Sequence, residues 1–127
     1  MRDHPAAGEK LVIWVGSSQR DLLSFPARVV RDVGVALSAA QFGDTPAVAK
    51  IRKGHGAGVL EIAEDFARST YRAVYTVRFR RAIYVLHCFQ KKSPSGVRTA
   101  KHDVELTEKR LRDARDDYEE RYGKGAK

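Results

Sequence analysis

Two adjacent stretches rich in β-branched and aromatic residues constrain the fold of this chain more than any other feature. They cover Thr70 to Phe79 and Ala82 to Gln90, and in both the residues alternate as they do along a half-buried strand. Period-two alternation predicts two β-strands, and Arg80-Arg81 between them predicts a two-residue hairpin turn. We therefore expect an antiparallel sheet built around this hairpin.

The turn would fix which side chains of the hairpin share a face. Residues directly opposite each other point to the same side of a sheet, so Arg72, His87 and Lys91 would lie together. A turn that differs by one residue would pair Arg72 with Gln90 and would place Lys92 on that face instead. In either register, a lysine joins Arg72.

The remaining elements follow from periodicity and capping signals. Ser18, with Asp21 three residues later, resembles a capping box at a helix start. The predicted elements are a strand over Leu11–Val15, helices over Gln19–Leu23 and Phe25–Ala40, a short strand from Val59 and a helix over Thr99–Tyr122. The order β-α-α-β-β-β-α predicts a single compact α+β domain over residues 1–127, with a mainly antiparallel sheet packed by helices. Its core would cover about residues 10–122, between flexible termini.

Residues 47–58 have the composition of a linker, with glycines at three of the last five positions. This pattern predicts either a mobile loop or a close approach of two backbones. A phosphate-binding loop would need a lysine and a hydroxyl residue after the glycines. Val59-Leu60-Glu61-Ile62 follows instead, which resembles a strand.

The charge of the chain is positive and concentrated in its middle. The chain has 24 Lys and Arg against 16 Asp and Glu, a net charge of +8. Residues 61–100 contribute 8 basic and 3 acidic residues, whereas residues 101–127 contribute 8 of each. A concentrated positive field attracts polyanions, above all nucleic acid. The polar start of the chain, the short apolar runs and the single cysteine predict a cytoplasmic protein with no membrane span, disulfide framework or cysteine-based zinc site.

A cationic sheet face suits phosphodiester chemistry. Cleavage of RNA by its own 2′-hydroxyl needs one proton removed, one proton supplied and the added negative charge on phosphorus stabilised. Arg72 is a permanent planar donor for phosphate oxygens, and a lysine among other cations has a lowered pKa that suits proton transfer. The alternative is that Arg72 and Arg78 are ordinary surface residues and that Lys91-Lys92 merely ends a strand.

Other titratable residues leave their roles open. His87 is either a satisfied strand histidine or a member of the cationic site, and Glu61 is either the ion-pair partner of a nearby arginine or a general base. His55 and His102 have no neighbours with metal-ligand spacing, so no metal site is predicted.

Three blocks of this sequence resemble the RelE/HigB superfamily of toxins, especially its phage-derived branch. The blocks are Lys53–Ile62, Tyr71–Tyr75 and Ile83–Lys92, and the resemblance covers about residues 10–120 in element order. It implies a fold like that of the microbial ribonucleases. It also implies a toxin of a type II toxin–antitoxin pair that cleaves mRNA on the ribosome without a metal or cofactor.

The resemblance also implies roles and partners. Arg72 would support the transition state, and Lys91 and Lys92 would line the site, with His87 and Glu61 as further catalytic candidates. The partner would be an antitoxin, often of the helix-turn-helix type, and the oligomeric state stays open. The cations expected to contact RNA are Lys50, Arg52, Lys53, Arg78 and Arg98.

The sequence departs from the family pattern at two places. Members often carry an arginine where this chain has Ala63, and many carry Lys-Thr-Pro where this chain has Gly96–Thr99. Arg98 is a possible replacement for the missing cation. The alternative function is therefore a protein of the same fold without nuclease activity, either a gyrase-inhibiting toxin or an inactive phage-derived nucleic-acid-binding protein.

Overall fold

The computed structural model describes residues 8–91 and 97–127, with no side chains described for 97–99. The elements in these ranges are β1 (Leu11–Trp14), α1 (Ser18–Leu23), α2 (Ala27–Gln41), β2 (Ala49–Ile51), β3 (Val59–Phe66), β4 (Ser69–Thr76), β5 (Ala82–Lys91) and α3 (Val97–Tyr122). Within them, no helix has the length and apolarity that a membrane span requires.

The sheet has the strand order β1-β5-β4-β3-β2. Strands β2 to β5 pair antiparallel, and β1 joins the other side of β5 in parallel. Helices α1 and α2 cover one face of this sheet, and α3 covers the other, so each face has its own apolar cluster. The predicted α+β domain with a mainly antiparallel sheet is confirmed.

Strand β2 lies in the segment that the sequence analysis interpreted as a linker. Ala49, Lys50 and Ile51 pair with Ile62, Glu61 and Leu60 of β3. The strand has only three residues, of which Ala49 packs against the core while Ile51 is 76% exposed. The prediction of a linker over residues 47–58 was wrong for this stretch because three residues are too few to show an alternating pattern in the sequence.

The two predicted N-terminal helices are confirmed, but the predicted capping box at the start of α1 is not formed. Helical spacing in the sequence predicts a buried stripe of Val29, Val33, Ala36, Leu37 and Ala40, and these are the buried residues of α2. The prediction that Ser18 caps α1 was wrong. Ser17 occupies the N-cap position and donates its hydroxyl hydrogen bond to Asp21, while Ser18 is buried and donates to the carbonyl of Val85. Ser18 therefore joins α1 to the sheet.

The connection between β4 and β5 differs from the predicted two-residue turn. Strand β4 ends at Thr76, so residues 77–81 form a wider loop. Val74 pairs with His87, but Tyr75 pairs with Val85, which leaves Leu86 as an extra residue in β5. This β-bulge reverses the alternation along β5, so Leu86 and His87 both lie on the α3 face.

The C-terminal tail, which the sequence predicts to be flexible, contacts α3 and the core. Its last residue, Lys127, accepts a hydrogen bond at its carbonyl from the Tyr118 hydroxyl at 2.9 Å. Ala126 packs against the cluster between α3 and the sheet. The Tyr118 hydroxyl also accepts a hydrogen bond from the backbone of Arg81, so the tail, α3 and the β4–β5 loop share one anchor.

Candidate active site

Glu61 lies between two arginines on the α3 face of the sheet. One carboxylate oxygen accepts a hydrogen bond from Arg72 at 2.6 Å, and the other accepts a short one from Arg52. The Glu61 side chain is only 14% exposed. Because both carboxylate oxygens are engaged, the arrangement matches the ion-pair interpretation of Glu61, and we call these three residues the Glu61 cluster.

The register of the sheet positions the neighbours of this cluster. Arg72 pairs with Phe89, and Thr70 pairs with Lys91. Lys91 is therefore a diagonal neighbour of Arg72 on the same sheet face, as predicted, and it is exposed. Ala63 lies directly opposite Arg72 on β3. The predicted site residue Lys92 lies outside the described residues, as does the side chain of Arg98.

Arg72 is held at one end of its guanidinium group. Its Nη1 atom donates to Glu61, while its buried Nε atom has no hydrogen-bond partner within the described ranges. The side chain is 27% exposed. An arginine that retains exposed donors is able to bind an anion without losing its carboxylate partner.

Arg52 connects the cluster to the glycine-rich loop. Its guanidinium group lies 6.0 Å from the ring centre of Phe89, and its Nε atom donates to Nε2 of His55 at 3.4 Å. His55 is buried, with Nδ1 3.4 Å from the Glu108 carboxylate of α3. Arg52 is thus fixed by the sheet on one side and by the loop on the other.

His87 is buried beneath α3 instead of open to solvent. Its Nε2 atom lies 2.8 Å from Oδ1 of Asp103, and its ring stacks on Phe89. Burial lowers the pKa of His87, although the hydrogen bond and negative charge of Asp103 oppose this. A neutral ring donates from Nε2 to Asp103 and leaves an unprotonated Nδ1, which is buried and has no partner in the described parts of the chain.

Arg78 holds the glycine-rich loop instead of extending into solvent. Its guanidinium group donates to the carbonyls of His55 at 2.7 Å and Ala57 at 3.0 Å. A Cβ on Gly58 would lie 3.2 Å from the Arg78 backbone, and Gly58 has φ +79°. Of the two interpretations of the glycines, the close backbone approach is the one that the structure shows.

The other predicted RNA-binding cations lie around this site. Lys50 is exposed on β2 directly opposite Glu61, and Lys53 is exposed at the start of the loop. The register places Lys50 and Lys91 on the same face as the Glu61 cluster, and Lys53 directly follows Arg52 in the chain. The structure therefore brings together most of the predicted cations, although they come from four different elements.

Some residues that shape the site carried no sequence signal. Asp103, Glu108 and Arg110 belong to α3, and the i,i+4 spacing of its acidic and basic residues in the sequence predicts a solvent-exposed helix face. Arg110 donates to the carbonyl of Leu86 and to Ser17. Asp103 and Glu108 contact histidines far away in sequence, so only the packing of α3 on the sheet reveals them. The described residues contain no group of three or more potential metal ligands.

The fold and this face define a class of small α+β protein in which a cationic sheet surface is partly covered by a C-terminal helix. The family described as phage-derived protein Gp49-like (DUF891) matches residues 20–112. The chain belongs to this family, which is toxin-like and of the RelE/HigB type. No curated protein matches the chain.

Proposed function

We propose that this protein is the toxin of a type II toxin–antitoxin pair and cleaves mRNA on the ribosome. The observation that carries the proposal is the placement of Arg72 beside Lys91 on an exposed part of the sheet face, with Glu61 as its anchor. Membership in a RelE/HigB-type family supports the same function.

The proposed reaction is attack of a 2′-hydroxyl on the adjacent phosphorus. The O2′–P bond forms and the P–O5′ bond breaks, which yields a 2′,3′-cyclic phosphate and a 5′-hydroxyl. Arg72 stabilises the added negative charge on the phosphorane oxygens. Lys91 and Lys92 remove the 2′-hydroxyl proton and supply one to the leaving oxygen.

In this proposal Glu61 and His87 have positioning roles. Both oxygens of Glu61 are occupied by arginines, so the carboxylate orients Arg72 and is not free to accept a substrate proton. His87 is covered by α3 and bonded to Asp103, so it supports the sheet beneath Phe89. The mechanism therefore depends on Arg72 and the lysines.

The test is induction of the full chain in a bacterial host, followed by mapping of mRNA 5′ ends. We expect growth arrest and new 5′-hydroxyl ends, which become ligatable only after phosphorylation. Arg72→Gln and Lys91→Gln should each reduce cleavage, Arg72→Gln by about 100-fold or more because it removes transition-state charge stabilisation. Unchanged growth and unchanged mRNA ends with the wild-type chain would refute the nuclease.

Arg31→Gln is a matched control for these variants. Arg31 is an exposed arginine of α2, on the opposite side of the sheet. It removes one positive charge without touching the Glu61 cluster, so cleavage should persist. Lys91→Gln guards against misfolding as the cause of lost activity, because Lys91 is exposed at the end of β5.

A second candidate, a non-nuclease member of the same fold, is favoured by Ala63. This residue lies directly opposite Arg72, so an arginine there would be its closest cross-strand neighbour. The site thus lacks a cation that relatives often carry next to Arg72. A gyrase inhibitor would leave mRNA ends intact and induce the DNA-damage response, whereas an inactive nucleic-acid-binding protein would do neither.

We also propose an antitoxin of the helix-turn-helix type as the partner. The support is the family assignment, and the test is co-expression with the protein encoded by the neighbouring open reading frame. Restored growth and co-purification of the two chains would support the pairing. Continued growth arrest with both proteins present would contradict it.

A further inference from the structure

A second cationic surface lies at the seam between the β4–β5 loop and α3. A cleft in this seam is lined by Arg78, Arg112 and Arg115, with His55, Glu108 and Asp116 beside them. We call it the arginine cleft. It is separate from the Glu61 cluster, although His55 contacts Arg52 and so lies between the two.

Two of the three guanidinium groups of the arginine cleft have neutral partners. Arg78 is bonded to two backbone carbonyls, and Arg115 lies 5.5 Å from the ring centre of Phe79. Neither of them, nor Arg112, forms an ion pair with a carboxylate in the described parts of the chain. The cleft therefore presents three guanidinium groups against the two carboxylates of Glu108 and Asp116, with a surplus of positive charge.

The same seam carries further arginines on the loop itself. Arg80 and Arg81 are exposed, and Arg81 lies 4.9 Å from the ring centre of Tyr122 near the end of α3. The Tyr118 hydroxyl accepts a hydrogen bond from the Arg81 backbone, which fixes the loop against the helix. The loop and helix thus present a fixed set of cations on one edge of the molecule.

The lining of the arginine cleft favours a phosphate backbone over a protein partner. Protein interfaces have an apolar centre rich in aromatic side chains. Here the apolar lining residue is Leu111, which is only 6% exposed and belongs to the core. Planar guanidinium groups without carboxylate partners match phosphate oxygens, which they bind with two parallel hydrogen bonds.

We infer that the arginine cleft is a second RNA-binding site, which holds the phosphate backbone of structured RNA at a distance from the cleavage site. The inference rests on the proposed function in one respect, the choice of RNA as the ligand. It adds that binding and cleavage are carried by different arginines. Arg72 acts on the scissile phosphate, whereas Arg112 and Arg115 provide affinity.

The test compares the double variant Arg112→Gln/Arg115→Gln with Arg28→Gln/Arg31→Gln. Both remove two exposed arginines from a helix, but the second pair lies on α2. The readout is binding of the full chain to a fluorescent RNA stem-loop over a series of salt concentrations, with polyglutamate as a second probe. Thermal unfolding of each variant verifies that it is folded.

We expect about tenfold weaker RNA binding for Arg112→Gln/Arg115→Gln, since two exposed ionic contacts are lost. The slope of log K against log salt should become shallower by about 0.7 to 0.9 for each lost phosphate contact. Equal RNA binding by the two double variants would overturn the inference. So would a loss confined to polyglutamate, which would assign the cleft to an acidic protein.

Failure of this inference is distinguishable from failure of the proposed function. If the wild-type chain cleaves mRNA but the two double variants bind RNA equally well, the proposed nuclease activity is supported and the proposed role of the arginine cleft is refuted. If the wild-type chain cleaves no mRNA but Arg112→Gln/Arg115→Gln weakens RNA binding, the proposed role of the arginine cleft is supported and the proposed nuclease activity is refuted. Arg72→Gln provides a third comparison, since it should reduce cleavage by about 100-fold or more and keep stem-loop affinity within about threefold.

Discussion

Glu61 on β3 and Arg72 on β4 are joined by a hydrogen bond of 2.6 Å, on a face where Arg52 occupies the other carboxylate oxygen. Two arginines thus share one largely buried carboxylate. The cluster carries a net positive charge because one of the two guanidinium groups is not neutralised. That surplus charge, held rigidly beside Lys91, is what makes this part of the sheet suitable for an anion.

Removal of the Glu61 charge should therefore affect stability and function together. We expect Glu61→Gln to destabilise the fold by about 2 to 3 kcal/mol, because two charge-assisted hydrogen bonds are weakened. Urea unfolding at neutral pH measures the loss. In the cleavage assay kcat should fall more than KM rises, since Arg72 loses its orientation; an equal loss for Glu64→Gln, which is not part of the cluster, would contradict this role.

Alanine substitutions at two glycines of the glycine-rich loop should destabilise the fold to different extents. Gly58→Ala should cost more than Gly54→Ala, because a Cβ on Gly58 would lie 3.2 Å from the Arg78 backbone whereas a Cβ on Gly54 would have nothing within 4 Å. Both have positive φ, so Gly54→Ala should cost about 1 to 2 kcal/mol from backbone strain alone. Gly58→Ala should add about 1 to 3 kcal/mol from the close contact. Chemical unfolding of the two variants gives the comparison, and equal costs would rule out the contact.

Stability should depend on pH through His87. Burial lowers its pKa in the folded state below the ordinary value of 6.5, so the unfolded chain binds the proton more tightly. The contribution of His87 to the free energy of unfolding is therefore fully present above about pH 6.5. It falls as the pH drops from there toward the lower pKa of the folded state, by up to about 1.4 kcal/mol per pH unit. Denaturant midpoints between pH 8 and pH 5 measure this dependence.

Two variants isolate the contribution of His87 to this pH dependence. His87→Gln should remove it, since glutamine still donates to Asp103 but does not titrate. His102→Gln should leave most of it, because His102 is exposed on α3 and its charge is the smallest of the causes that shift the pKa of His87. The opposite pattern would assign the pH dependence to another group.

Cys88 should be chemically inert in the folded protein. It is buried, and burial raises the pKa of its thiol to about 12. We expect no alkylation by iodoacetamide at pH 8 without denaturant and complete reaction in urea, since only the thiolate reacts. Alkylation at the same rate in both conditions would show that β5 opens readily.

Much of the fold could be predicted from the sequence, where local pattern and burial agree. The stripe of α2 repeats at helical spacing because one side of that helix faces the core, and the buried residues are those the stripe contains. The register around Arg72 was also correct, but for a different reason. A wider loop after Thr76 and an extra residue at Leu86 together restore the pairing that a two-residue turn would have produced.

The periodicity and charge distribution of the sequence by themselves determined that this protein is a small α+β domain with a cationic central segment. The tertiary structure decided what those cations do. Arg78 binds loop carbonyls, Arg72 and Arg52 share Glu61, and Lys91 stays exposed. The reason is physical: charge and periodicity are local properties of the chain, whereas burial and pairing of an arginine depend on residues that only folding brings within hydrogen-bond distance.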